Sequence, residues 1–437
     1  MTDTALLSRL DRCEPFPALG RVTRVTSGEI EADGPAAIVG AHCEIGSRSR
    51  HTALRAQVVA VAETSVRLVP FGAVEGVGVG DPVISVHGAA GGVAVAGAAL
   101  AGRAVDALGQ PLDGGPAVRA AAYRSHLPQI LDRVSPAAAL ATGIRAIDGL
   151  VTLGRGQRIG VFAASGVGKT WLVEQLVRQV DCARVVVCQV GERGREVEAL
   201  WRDIGAAGRR ERATLVAATS DESAPMRVQA VETALTQAEY WRDAGEHVLL
   251  IVDSITRFAM ALREIGLAAG EPPTVRAYTP NVLRELPRVV ERCGAVRGGG
   301  SITAVFTVLS ENDEVDDPIV EVMKSLLDGH VVLSRRLAQA GHFPAMDVGR
   351  SISRLFDRLI DGDHVAAARV VRAHLARYEE ARILIESGMY KSGGDPELDA
   401  AVAARGALAE FLRQPSDACE DLAATRRALL RLAGRSA

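Results

Sequence analysis

A lysine and a threonine that close a small-residue loop, and two carboxylates that each end an apolar run, are the side chains with the clearest chemistry here. Residues 158–170 read Arg-Ile-Gly-Val-Phe-Ala-Ala-Ser-Gly-Val-Gly-Lys-Thr. Ile159 to Phe162 is a short apolar run of the kind that forms a buried strand. From Trp171 onward, Leu172, Val173, Leu176, Val177 and Val180 recur at helical spacing. Strand, loop and helix in that order make a phosphate cradle. Backbone N–H groups of Ala164, Ser165, Gly166, Val167, Gly168, Lys169, Thr170 and Trp171 can face the anion, and the helix dipole favours its charge. Gly166 and Gly168 let the chain curl without Cβ clashes. Lys169 is placed to reach the β- and γ-phosphates of ATP, and the Thr170 hydroxyl to ligate Mg2+. Ala163 stands where such a loop usually opens on glycine.

Four further features converge on this loop. Val248–Val252 is an apolar strand that ends on Asp253, a carboxylate able to hold Mg2+ beside Thr170. Gly191-Glu192-Arg193-Gly194-Arg195-Glu196 follows another apolar strand. There Glu192 can act as general base on a water, and Arg193 can meet charge at the site or pair within a charged turn. Phe343, in His342-Phe343-Pro344-Ala345-Met346-Asp347, offers a face for the adenine ring, with Phe411 as a second wall. Arg354, in Ser351-Ile352-Ser353-Arg354, can set a guanidinium against charge developing on the γ-phosphoryl group, from a neighbouring subunit. The alternative for Arg354 is a surface ion pair.

The elements that must position these groups fall into four regions. Residues 1–20 hold Leu6, Leu7 and Leu10 before a Pro15-Phe16-Pro17 breaker, which makes a docking arm or a frayed terminus. Residues 21–95 carry short Val/Ile-rich runs (Val22–Val25, Ala36–Val39, Gln57–Val61, Val66–Val69, Pro82–Ser85) between turn residues, the pattern of a small β-barrel. Residues 96–345 alternate strand-like and helix-like segments from the loop onward, so a largely parallel sheet covered on both faces is expected. Ligands should gather at the carboxyl ends of its strands. Residues 346–437 read as a helical C-terminal domain. The fold class is therefore α/β, a P-loop ATPase core between a barrel and a helical domain.

Composition bounds the function. The 437 residues are 48% hydrophobic and carry a formal net charge of −3, so no global basic footprint for nucleic acid is present. The barrel region holds a single aromatic, Phe71, where a single-strand binder needs stacking platforms. Cysteines at 13, 43, 182, 188, 293 and 419 fit neither a disulfide framework nor a zinc site, and suit a reducing compartment. No apolar stretch reaches spanning length, which points to a cytoplasmic protein that meets a membrane through its partners.

The sequence closely resembles the ATPases of type III protein export, relatives of the catalytic subunits of rotary ATP synthases. The likeness lies in Ala163–Thr170, Gly191–Val197, the block from Asp253 to Pro273, His342–Asp347, Ser351–Arg354, Gly393-Gly394-Asp395-Pro396-Glu397-Leu398-Asp399 and Phe411-Leu412-Arg413-Gln414. The resemblance implies a RecA-like core and a homohexameric ring with ATP and Mg2+ at each subunit interface. Lys169, Thr170, Glu192 and Asp253 would serve in the roles argued above, and Arg354 in trans. It further implies a cytoplasmic ring held peripherally at an inner-membrane export gate, with a peripheral stator, a central stalk protein, and export chaperones and their cargo as partners. The ring would release and unfold chaperone-bound substrates. Pro70-Phe71-Gly72 and the Gly393–Asp399 stretch resemble the flagellar branch more than the injectisome branch. The competing readings are a rotary synthase subunit, a nucleic-acid ring motor and a non-catalytic structural subunit. Ala164, Ala277-Tyr278-Thr279-Pro280, Cys293 and Gly349 depart from the family pattern.

Overall fold

The structure, a computed structural model, describes residues 19–46, 53–86, 94–118, 120–123, 128–310 and 317–435. The arm expected over 1–20, with Leu6, Leu7, Leu10 and Pro15-Phe16-Pro17, lies almost wholly outside the described residues.

Six strands come first: β1 (Leu19–Val25), β2 (Ile30–Ala32), β3 (His42–Ile45), β4 (Leu54–Val61), β5 (Val66–Pro70) and β6 (Pro82–Ser85). They close into an antiparallel barrel in the order β1-β2-β5-β4-β3-β6, with β6 pairing back onto β1 so that no edge is left open. Alternation sends Val22, Ile30, Ile45, Leu68 and Val83 inward, all fully buried. Ala36–Val39, expected as a strand, is instead a surface turn. Gly40 takes a φ of +88° and its N–H bonds to the Val58 carbonyl, which reverses the chain and leaves Ile38 and Val39 exposed. Phe71 is buried against the central domain and meets His42 edge-on, with ring centroids 5.0 Å apart.

The central sheet is built from β7 (Ala104–Asp106), β8 (Arg158–Ala163), β9 (Arg184–Val190), β10 (Ala213–Ala218), β11 (His247–Asp253), β12 (Ser301–Leu309), β13 (Gly329–Leu333) and β14 (Met346–Ser353). Their order is β14-β13-β8-β12-β11-β9-β10-β7. Along this order every pair is parallel except β13 with β14, and two short strands, Arg133–Val134 and Gly294–Val296, add antiparallel pairs beside β12. Six helices, α1 (Lys169–Gln179), α2 (Gly194–Ala206), α3 (Ala224–Asp243), α4 (Ile255–Ala268), α5 (Pro280–Glu291) and α6 (Pro318–Leu326), cover the sheet.

The strands read as unbroken apolar runs because both faces are buried. On β9, Val185 and Val187 join one core with Leu172 and Leu176 of α1, while Val186, Cys188 and Val190 join the other with α3 and α4. Cys43, Cys182, Cys188 and Cys293 are buried free thiols, and burial pushes Cys43 and Cys182 up to about 11.

Two features extend the sheet beyond what periodicity suggests. β7 adds a parallel edge strand to β10. β14 carries the sheet to Ser353, so that it takes up the first eight residues of the region expected to be helical. Its two-residue alternation, with Met346, Val348, Ser351 and Ser353 buried, is interrupted at a bulge opposite His330/Val332, which hides the strand from a sequence scan.

The helical domain follows, with α7 (Gly362–Glu380), α8 (Pro396–Leu412) and α9 (Leu422–Leu432) packing Val371, Leu408 and Leu429 onto the α1 face of the core. Asp361 and Asp395 cap α7 and α8 through their first-turn N–H groups. Asp399 accepts bonds from the Tyr390 hydroxyl and the Gly393 N–H, so the Gly393–Asp399 motif braces the loop before α8. Among the described residues no helix is long and apolar enough to cross a membrane.

Candidate active site

β8 ends at Ala163 and the chain turns through 164–168 into α1, whose first residue is Lys169. The turn depends on Gly166 and Gly168, with φ of +77° and +95°, a region costly for any side chain. Gly168 is the N-cap of α1 and carries no side chain to cap it, so the first N–H groups of the helix are left for an anion.

The register of the sheet brings the carboxylates to the same end. Val161 on β8 pairs with Thr307 on β12, and β12 in turn pairs with β11 so that Asp253 lies alongside Thr307. The Thr307 hydroxyl donates to Asp253 Oδ1 at 2.6 Å. Lys169 Nζ donates to Asp253 Oδ1 at 2.5 Å and to Glu192 Oε1 at 2.8 Å. Glu192 reaches this point because Gly191, at φ +68°, swings the chain off β9. The Arg257 stem lies so close over Gly191 that an added Cβ would sit 3.1 Å from it.

These groups share one charge balance. Burial disfavours the Lys169 ammonium, but the Asp253 and Glu192 charges outweigh it and raise the lysine pKa. The Glu192 pKa is also raised, chiefly by burial and also by Asp253, against the pull of Lys169. The lysine therefore stays charged, and Glu192 is moved toward accepting a proton.

The groups border a cavity of about 810 Å³ at the carboxyl ends of the strands, lined by the loop, Lys169, Thr170, Glu192, Arg193, Arg257 and Tyr278. Such a volume accommodates a nucleotide-sized ligand. Thr170 and Arg193 are exposed on its rim, and Val167 turns into the core. The donor set near the loop is hard oxygen, a threonine hydroxyl and an aspartate carboxylate, which suits Mg2+ with phosphate and water completing the shell. Among the described residues no group of three or more His, Cys, Asp and Glu could hold a metal ion by itself.

The aromatic pair separates. Phe343 stands against the loop, 3.0 Å from where a Cβ on Gly168 would be, and its ring centroid is 5.8 Å from that of Trp171. Phe411 does not reach the cavity. It is buried in the core shared by the sheet and the helical domain, packed over Gly149 with Arg145 stacked on its ring. The Phe411–Gln414 motif reaches the site through Gln414, whose N–H donates to the Phe343 carbonyl at 2.9 Å and whose amide nitrogen donates to the Gly143 carbonyl at 2.6 Å. Arg354 also lies away from the cavity of its own chain. Ser353 pairs with Gly329 at the start of β13, whereas the phosphate loop leaves the opposite end of β8.

Thr307 carries no motif in the sequence, and Arg257 and Tyr278 enter only as members of the Asp253–Pro273 block and the Ala277–Pro280 segment, with no role of their own at the site. A threonine near the carboxyl end of the apolar run of β12, the second of two with Thr303, is the signal that could have found the first. Arg257 and Tyr278 carry no local pattern and become visible only through the fold.

The chain matches three family models: the ATP synthase alpha/beta family beta-barrel domain over residues 22–87, the nucleotide-binding domain of the same family over 143–353, and the T3SS EscN ATPase C-terminal domain over 360–431. It is 44% identical over 410 residues to the flagellum-specific ATP synthase of Treponema pallidum, covering 93% of this chain and 91% of that protein. It is 42% identical over 426 residues to the type 3 secretion system ATPase of Sinorhizobium fredii, covering 97% and 94%. Among solved structures, the assembled ATPase EscN of the enteropathogenic E. coli type III secretion system superposes with a TM-score of 0.88 at 36% identity, over 95% of this chain and 100% of that one. EscN in complex with its central stalk EscO superposes with a TM-score of 0.85 over the same shares.

Proposed function

The chain belongs to the family of type III secretion and flagellar export ATPases, and from that premise we propose that six copies form a ring that hydrolyses ATP at its subunit interfaces. One observation supports this above the others: Lys169 and Glu192 line one cavity with the buried Asp253 bonded to the lysine behind them, while Arg354 stands at the far end of the same sheet. Such a chain keeps Arg193 and Arg257 at its own cavity and carries a further arginine, Arg354, remote from it and free to serve a neighbour.

In this reading the triphosphate takes Lys169 away from its carboxylates, and the loop N–H groups hold the phosphate oxygens. Glu192, released from the lysine, orients a water and takes its proton as the water oxygen bonds to the γ-phosphorus. The bond from that phosphorus to the β–γ bridging oxygen breaks, and ADP keeps the electron pair. Arg354 of the adjacent subunit faces the charge on the transferring group. Thr170 and Asp253 hold Mg2+, which when bound neutralises phosphate charge. Phe343 supports the adenine, its backbone fixed by Gln414. Arg193 sits at the rim and tunes the approach of charge.

The ring energises export from the cytoplasmic face of an inner-membrane gate, releasing and unfolding chaperone-bound cargo. A stator and a central stalk protein are its partners, the latter by analogy with the EscO stalk of EscN. Pro70-Phe71-Gly72 and the Gly393–Asp399 stretch favour the flagellar branch, and the likeness to EscN favours an injectisome as the second reading.

The test is ATP turnover against protein concentration with mass followed by light scattering. Wild-type turnover per chain should rise steeply with assembly. Glu192→Gln and Arg354→Ala should assemble yet lose roughly 100-fold or more in turnover. Equal specific activity for monomer and ring would sink the interface reading.

A further inference from the structure

At the foot of the sheet, away from the nucleotide cavity, hydrogen bonds converge on the residues that deliver Arg354. The Arg354 N–H donates to the Asp328 carbonyl at 2.9 Å, and its Nη2 donates to the Lys324 carbonyl at 3.0 Å, in the last turn of α6. The neighbouring Ser353 hydroxyl accepts from Gln157 Nε2 at 3.0 Å, and the same amide donates to the Asp328 carbonyl at 3.2 Å. Gln157 is fully buried and is itself fixed by the Gly154 N–H on its Oε1 at 2.8 Å.

Asp328 is gripped in turn by Arg158, the first residue of β8. Its Oδ2 accepts from the Arg158 N–H and Nε, both at 3.0 Å, and its Oδ1 accepts from Nη2 at 3.1 Å. The remaining Nη1 of Arg158 donates to Glu291 at 2.9 Å, and Glu291 also accepts from Arg133 at 2.8 Å. A two-point guanidinium–carboxylate pair fixes direction as well as distance. Gly329 permits this closeness, because a Cβ there would stand 2.4 Å from the Ile352 carbonyl oxygen.

We propose that Asp328, clamped by Arg158, is a positioning residue that sets where Arg354 stands when it serves the neighbouring subunit's nucleotide. This rests on the trans role given to Arg354 above. β8 has the clamp at one end and the phosphate loop at the other, six residues or about 17 Å apart at strand rise. A strand held on both sides by parallel neighbours does not change length, so the clamp fixes Arg354 against the subunit's own loop. The residue whose carboxylate Arg158 grips is the one whose backbone carbonyl accepts from both the Arg354 N–H and Gln157, and Gln157 in turn holds Ser353. Catalytic geometry is sensitive at this scale, since a displacement of about 1 Å can cost up to 100-fold in rate.

The test is a double-mutant cycle on the assembled ring. Asp328→Asn keeps shape and backbone carbonyl and removes the charge that Arg158 holds. It should lower kcat about 10-fold and leave the affinity for a fluorescent ADP analogue unchanged. In an Arg354→Ala background it should lower the residual turnover no further, because the two act through one group. Asp328→Glu retains charge and the clamp but lengthens the arm, and should lower kcat about threefold with no change in Tm; it serves if the Asn variant does not assemble. An equal fold-loss from Asp328→Asn with and without Arg354 overturns the proposal. So does wild-type kcat in both Asp328 variants. Full turnover by Arg354→Ala alone defeats the trans reading itself, whatever the Asp328 variants do.

Discussion

Lys169 is tied to the two carboxylates that the reaction needs elsewhere. One ammonium answers Asp253 and Glu192 together, which keeps two largely buried carboxylates from standing unpaired. In the proposed mechanism, entry of the triphosphate would replace both partners of the lysine at once and leave Glu192 to meet water. Thr307 matters here because it holds Asp253 Oδ1 from behind while the lysine leaves. Thr307→Val removes that donor with little change of volume. The expected result is a 10- to 100-fold weaker Mg2+ dependence of turnover, read from a magnesium titration, with lysine-dependent nucleotide binding kept. An unchanged titration would mean that Asp253 is held by the sheet alone.

At the scale of elements, the sheet was legible where both faces are buried and obscure at its rims. The unbroken runs of β8, β9 and β11 announce themselves, and the loop after β8 follows from glycine and lysine spacing. β14 hides because its alternation breaks at a bulge, and Ala36–Val39 misleads because an apolar run can line a turn as well as a strand. Phe411 misleads for a related reason: a rare aromatic close to a motif is as useful to a core as to a ligand, and here Gln414 makes the contact that reaches the site.

Element packing also sets a pH limit. His247, at the start of β11, and His342, before the loop-side turn, are pushed down to about 4, chiefly by burial. An unfolded chain titrates both near 6.5, so between 6.5 and 4 the unfolded state binds more protons and stability falls as pH falls. Above 6.5 their contribution is constant. The urea midpoint should therefore drop between pH 7 and pH 5, and His342→Gln should flatten that slope. A slope unchanged in the variant would assign the acid sensitivity to other groups.

In the whole molecule, the proposed trans role of Arg354 makes β8 serve two sites in different subunits, which would let two dead enzymes repair each other. A Lys169→Ala copy is blind to nucleotide yet still lends its arginine, whereas an Arg354→Ala copy binds nucleotide and lends nothing. In rings assembled from a mixture, a competent site arises wherever the second kind of copy receives from the first. At equal proportions, random heterologous assembly makes roughly one site in four competent. Turnover regained on mixing, peaking near that proportion, would mark sites that fire alone. Silence at every ratio would mark a ring whose sites must fire in turn.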